Sequence, residues 1–132
     1  MKKYRGKFHR ENITSRFMKD LVRRSRSKCE LCQRAGTRLE AMEITPLPDE
    51  PLLDHTLFCC ESCIKQIHAP EKMNPHEWRQ LHETVWSEIP VIQVISLRLL
   101  RRLSARNEVW ATELLEQVIV SPEIEAWSLE DQ

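Results

Sequence analysis

Four cysteines in two pairs are the residues of this chain best suited to chemistry: Cys29-Glu30-Leu31-Cys32 and, 27 residues later, Cys60-Glu61-Ser62-Cys63. A Cys-x-x-Cys pair turns tightly enough to present two sulfurs on one side, and two such pairs can close four thiolates on one ion at tetrahedral geometry. The spacing predicts one structural zinc ion held by Cys29, Cys32, Cys60 and Cys63. Four protein ligands leave no open position, and a catalytic zinc needs one for water or substrate. The alternatives are reduced buried thiols or, in a secreted domain, two disulfides. Cys59 stands beside the second pair and reads as a buried small hydrophobe. Cys59, His55 or His68 could still replace one of the four ligands.

The insert between the pairs must fold back to bring them together. Residues Thr37 to Thr45 alternate imperfectly between polar and apolar, Pro46-Leu47-Pro48-Asp49-Glu50-Pro51 is rich in turn formers, and His55-Thr56-Leu57-Phe58-Cys59 can return as a strand. The expected element is a two-stranded hairpin with a knuckle at each end. Ile64 to His68 reads as a helical turn whose N-terminal amides favour the thiolates of Cys60 and Cys63.

Other catalytic patterns are absent from the sequence: no Gly-rich phosphate loop, no His-Glu-x-x-His, no Ser-His-Asp set that spacing supports. His76 and His82 lie on different faces of a predicted helix. The His-Asn-His nucleases also build a hairpin between two such knuckles and use histidines at the end of the first strand. That position here reads Ala41-Met42-Glu43-Ile44, and Glu43 alone cannot serve as both metal ligand and base. The expectation is a protein that is not an enzyme, with a degenerate nuclease scaffold as the remotest alternative.

At 132 residues the chain fits one domain, and two glycines against seven prolines and four tryptophans favour helix over tight turns. No run of 18 apolar residues occurs, and no apolar core follows the basic N-terminus, so neither a membrane span nor a secretory segment is expected. The expected compartment is the cytoplasm. The net charge of zero conceals an asymmetry. Residues 1 to 28 carry 11 of the 20 Lys and Arg and only two acids, Glu11 and Asp20, whereas the remainder carries nine basic and 18 acidic residues. Lys2, Lys3, Arg5, Lys7 and Arg10, interleaved with Tyr4, Phe8 and His9, have the composition of a nucleic-acid arm, and Arg23, Arg24 and Arg26 extend it. A solvated tail, or one that folds back on the acidic remainder, has the same composition.

The helical periods follow. Ile13, Phe17, Leu21 and Val22 recur at helix spacing after an N-cap at Thr14 or Ser15. Asn74-Pro75 starts a helix with Trp78, Leu81, Val85 and Trp86 in an apolar stripe. Pro90 starts another that is apolar over most of its circumference, from Val91 to Leu103, and must be buried. Asn107 is expected to cap a helix with Trp110, Leu114 and Val118, and Ser121-Pro122-Glu123 to start the last one.

Ser27-Lys28-Cys29-Glu30-Leu31-Cys32, Cys60-Glu61-Ser62-Cys63, Trp86-Ser87-Glu88-Ile89-Pro90-Val91-Ile92-Gln93-Val94, Leu99-Leu100-Arg101-Arg102-Leu103 and Trp110-Ala111 resemble the longer bacterial PhnA-type proteins, named after an alkylphosphonate-utilisation operon. The resemblance covers about residues 20 to 128 and implies an amino-terminal zinc-binding segment with Cys29, Cys32, Cys60 and Cys63 as ligands. Gln33 departs from the glycine usual after the first knuckle, residues 1 to 13 have no counterpart, and the family's carboxy-terminal β-rich domain is not expected in this sequence. The name implies no phosphonate reaction, since no residue set here suits one.

The expected architecture is mainly α with a small zinc-ribbon or treble-clef-like hairpin: a basic flexible arm over 1–13, a helix and four-cysteine hairpin over 14–70, and a helical unit over 71–132. The expected function is a binding module, meeting nucleic acid through the basic N-terminus or, alternatively, a protein partner or second copy through the helical half.

Overall fold

The computed structural model describes residues 6–130. Helices α1 (Lys7–Thr14) and α2 (Met18–Ser25), joined by a 3₁₀ turn, lead into the first cysteine pair. Strands β1 (Leu39–Glu43) and β2 (Thr56–Cys60) pair antiparallel, with Leu39 opposite Cys60 and Glu43 opposite Thr56, and β2 runs directly into helix α3 (Glu61–His68). The Ile44 N–H to His55 carbonyl bond, 2.9 Å, continues the ladder beyond the strands. The Pro-rich stretch between them forms the connection, as its lack of amide donors requires.

Residues 7 to 13, read from sequence as part of a flexible arm, are helical. Arg10, 6% exposed, holds α1 against the hairpin. Its Nε and Nη2 each donate to the Glu43 carboxylate at 2.7 Å, and Nη1 and Nη2 donate to the carbonyls of Asp49 and Pro48. Partners more than thirty residues away override a local pattern that carries no helix signal of its own. Thr14 and Ser15 do not cap a following helix. Their hydroxyls donate backwards to the carbonyls of Glu11 and Asn12 and finish α1.

The second half contains a 3₁₀ turn over Pro75–Trp78 and helices α4 (Leu81–Thr84), α5 (Pro90–Ala105), α6 (Val109–Gln117) and α7 (Pro122–Leu129). Asn74 caps the 3₁₀ turn by accepting from the His76 N–H, and Ser121 caps α7 by accepting from the Ile124 N–H. The single helix expected from Pro75 to Trp86 is instead two short pieces. Trp78 is pinned by its Nε1 donating to Gln66 Oε1 at 2.7 Å, and α4 stops at Thr84, so the apolar period does not carry to Trp86, which is half exposed. Asn107 does not cap α6. It takes a left-handed φ of 67° just after α5, a conformation Asn tolerates, and Glu108 precedes α6 without a side-chain cap.

Helix α5 is the central pillar: Val91, Val94, Leu97, Leu99, Leu100 and Leu103 are all buried. Each fully buried Leu of this kind contributes about 2 kcal/mol. The apolar cluster is continuous from Cys29, Leu31 and Leu57 of the hairpin to Leu97, Leu114 and Ile124 of the helices. Arg98 on α5, 4% exposed, donates to the carbonyls of Thr45, Trp127, Ser128 and Glu130, and Trp127 Nε1 donates to the Thr45 carbonyl. These bonds join the end of α7 to the hairpin. No helix of the described residues is long and apolar enough to cross a membrane.

Candidate metal centre

The first cysteine pair is shaped by its own backbone. Leu31 and Cys32 N–H groups point at Cys29 Sγ, each at 3.4 Å, while Cys29 N–H donates to the Arg34 carbonyl and Gln33 N–H to the Cys29 carbonyl. Gln33 closes this turn with φ of 68° and Gly36 the next with 71°. The second pair sits at a junction: Cys60 ends β2 and precedes the first turn of α3, in which Cys63 lies. Thus the hairpin brings the knuckle onto the start of a helix, whose amide dipoles favour negative sulfur.

The sulfurs of Cys29, Cys32, Cys60 and Cys63 all lie within 4.8 Å of one another and are close enough to hold a metal ion. Cys29 and Cys63 Sγ are 3.8 Å apart, Cys32 and Cys60 Sγ 3.7 Å. A tetrahedral ion with metal–sulfur bonds of about 2.3 Å has edges of about 3.8 Å, so the donor set fits one. Hydrogen bonds from the thiols of Cys59 and then Cys63 push the Cys29 thiol far below the ordinary range. That donation, then burial, pushes Cys63 and Cys59 upward, and burial pushes Cys32 up to about 11. Four clustered thiolates repel one another, and a bound cation would offset that repulsion.

Glu30, between the first two cysteines, has a role that the spacing does not reveal. It is 4% exposed, and its carboxylate accepts from Arg24 Nε and Nη2 at 2.7 Å each and from the Phe58 N–H at 2.9 Å. Arg24 also donates to the Thr56 carbonyl at 2.7 Å. The knuckle, α2 and β2 are clamped together by this one ion pair. Only an acid flanked by cysteines, together with a basic α2, hinted at it.

Cys59 is fully buried beside Cys29 but outside the group of four. The His55 ring lies tilted against Trp127 with centroids 4.4 Å apart, and His68 ends α3; neither joins the sulfurs. The basic residues divide. Arg10 and Arg24, assigned from sequence to a nucleic-acid contact, are instead consumed by Glu43 and Glu30. Lys7, Arg23 and Arg26 are exposed, and Lys2, Lys3 and Arg5 lie outside the described residues. Glu43, at the strand end considered for nuclease chemistry, is held by Arg10.

No protein-family model, no curated protein and no solved structure matches this chain.

Proposed function

We propose that the chain is a non-enzymatic binding module of PhnA-like type, organised by one structural zinc ion on Cys29, Cys32, Cys60 and Cys63 in a treble-clef-like arrangement of knuckle, hairpin and helix. The observation that carries this reading is the set of sulfur separations, 3.7 and 3.8 Å, in a cluster of which all but Cys32 are buried. Zinc suits it because a closed set of four thiolates selects a soft tetrahedral ion without redox chemistry, and such a site contributes directly to folding. The thiols would persist in the reducing cytoplasm.

The partner in this reading is nucleic acid. Arg16 just before α2, Lys19 and Arg23 on it, and Arg26 and Lys28 after it are exposed, as are Arg34 and Arg38 past the first knuckle, whereas residues 107 to 132 contain no Lys or Arg at all. Such one-sided charge attracts a polyanion and releases its counterions. Fluorescence anisotropy of labelled single-stranded and duplex DNA and RNA at 50 to about 200 mM salt tests this reading: affinity falling steeply with salt supports it, and absent or salt-independent binding rejects it. A second reading, a protein partner on the acidic face, rests on Val109, Ile119 and Leu129, which are 67%, 87% and 55% exposed there. The apolar excess of α5, by contrast, is absorbed within the chain.

A further inference from the structure

Arg102 differs from the other buried or half-buried arginines. Arg10, Arg24 and Arg98 give several N–H groups each to protein oxygens. The Arg102 guanidinium makes one hydrogen bond among the described residues, from Nη1 to the Ile67 carbonyl at 2.7 Å. That bond places the cation at the C-terminal turn of α3, where the helix dipole favours it. Among the described residues Nε and Nη2 have no protein partner, and no carboxylate pairs with the group. Burial alone lowers its pKa, with no opposing charge to offset the cost.

The side chain lines a cavity of about 300 Å³ between the end of β1, α3 and α5. Met42, Ile44, Ile67 and Ile95 supply apolar wall. His68 and Arg98 add two further groups of basic character. Glu43 is the one acid of the lining, and both of its oxygens are taken by Arg10. The cavity is therefore cationic on one side, apolar on the other, and its sole carboxylate is neutralised.

We propose that this cavity binds a small phosphomonoester, with phosphate oxygens on the Arg102 fork and His68 and an organic body against Met42 and Ile95. Arginine presents a planar fork matched to phosphate, and a second donor from another element suits a tetrahedral anion better than a flat carboxylate. None of the four cysteines lines this cavity, and the proposal does not depend on the nucleic-acid reading.

The test uses the full zinc-loaded chain and phenyl phosphate, followed by isothermal titration calorimetry and by NMR of the Arg102 Nε–H and the His68 ring. The expected result is saturable binding that perturbs both groups. Charge-assisted hydrogen bonds of this kind make Arg102→Gln weaker by roughly tenfold or more. Arg102→Lys keeps the charge and loses the fork, and His68→Ala changes an exposed residue without threatening the fold, so both variants should weaken binding if the proposal holds. Inorganic phosphate should bind more weakly than phenyl phosphate, and benzoate more weakly still. Absent saturation, unchanged affinity in Arg102→Lys and His68→Ala, or benzoate binding as tightly as phenyl phosphate would overturn the proposal. So would tighter binding at Arg102 of an oligonucleotide lacking terminal phosphates, which would reassign the cavity to a nucleic-acid backbone.

Discussion

Arg24 grips Glu30 with two hydrogen bonds of 2.7 Å, and through that grip the helix before the cysteines is fastened to the turn that carries them. Glu30 in turn accepts from the Phe58 N–H and donates its own N–H to the Phe58 carbonyl, so β2 is held to the knuckle from both sides. The cysteine geometry therefore rests on a buried ion pair as well as on backbone turns.

Glu30→Ala should lower stability by about 3–5 kcal/mol, because it strands a largely buried Arg24 and the Phe58 N–H. Urea unfolding at saturating zinc measures this. The double variant Arg24→Leu with Glu30→Leu should cost clearly less than the two single changes added together, since apolar replacement of a buried pair removes the unpaired charge.

Gln33 occupies a left-handed backbone position at φ of 68°. Gln33→Gly should raise stability by about 0.5–1 kcal/mol by removing the Cβ penalty, and Gln33→Val should lower it, a β-branched residue tolerating that region least. Thermal unfolding of the two variants should move in opposite directions.

Arg10→Leu should release α1 while leaving the metal centre intact. Glu43 and the carbonyls of Pro48 and Asp49 lose their donor, so limited proteolysis should cut within residues 7–14 much faster than in the parent chain. Zinc content should not change.

The charge reversals Lys19→Glu, Arg23→Glu and Arg26→Glu should weaken nucleic-acid binding and reduce the slope of log affinity against log salt by about one for each phosphate no longer neutralised. All three residues are exposed, and among the described residues Arg23 pairs only with Asp20, at 3.7 Å on the surface, so stability should change little. An unchanged slope would place the binding surface elsewhere.

What the sequence made legible were features with short-range signatures. The cysteine pairs, the alternation of the hairpin, Asn74-Pro75, Ser121-Pro122 and the apolar run after Pro90 each carry their cause within a few residues, and each has its counterpart in the fold. The ion pairs of Arg10 with Glu43 and Arg24 with Glu30 do not, because Arg and Glu in a charged chain can each find many partners, and only the folded hairpin selects one. The sequence left open a basic segment that folds back on the acidic remainder, but composition alone could not say that Arg10 and Arg24 are the ones that do so. Asn107 shows another limit: the same residue type favours a helix N-cap and a left-handed C-terminal position, and α5 ending at Ala105 selects the second. Trp86 falls outside the core because α4 stops at Thr84, an end set by tertiary packing rather than by a local breaker.

X-ray absorption at the zinc edge, on protein expressed without added metal and with metal content determined on the same sample, tests the central claim most directly. One zinc per chain with four sulfur neighbours at about 2.3 Å is predicted, reduced to three sulfurs or to loss of metal in Cys32→Ser. A chain purified without zinc, or zinc bound with nitrogen or oxygen neighbours in the parent protein, would contradict the four-cysteine centre on which the fold and its proposed binding role depend.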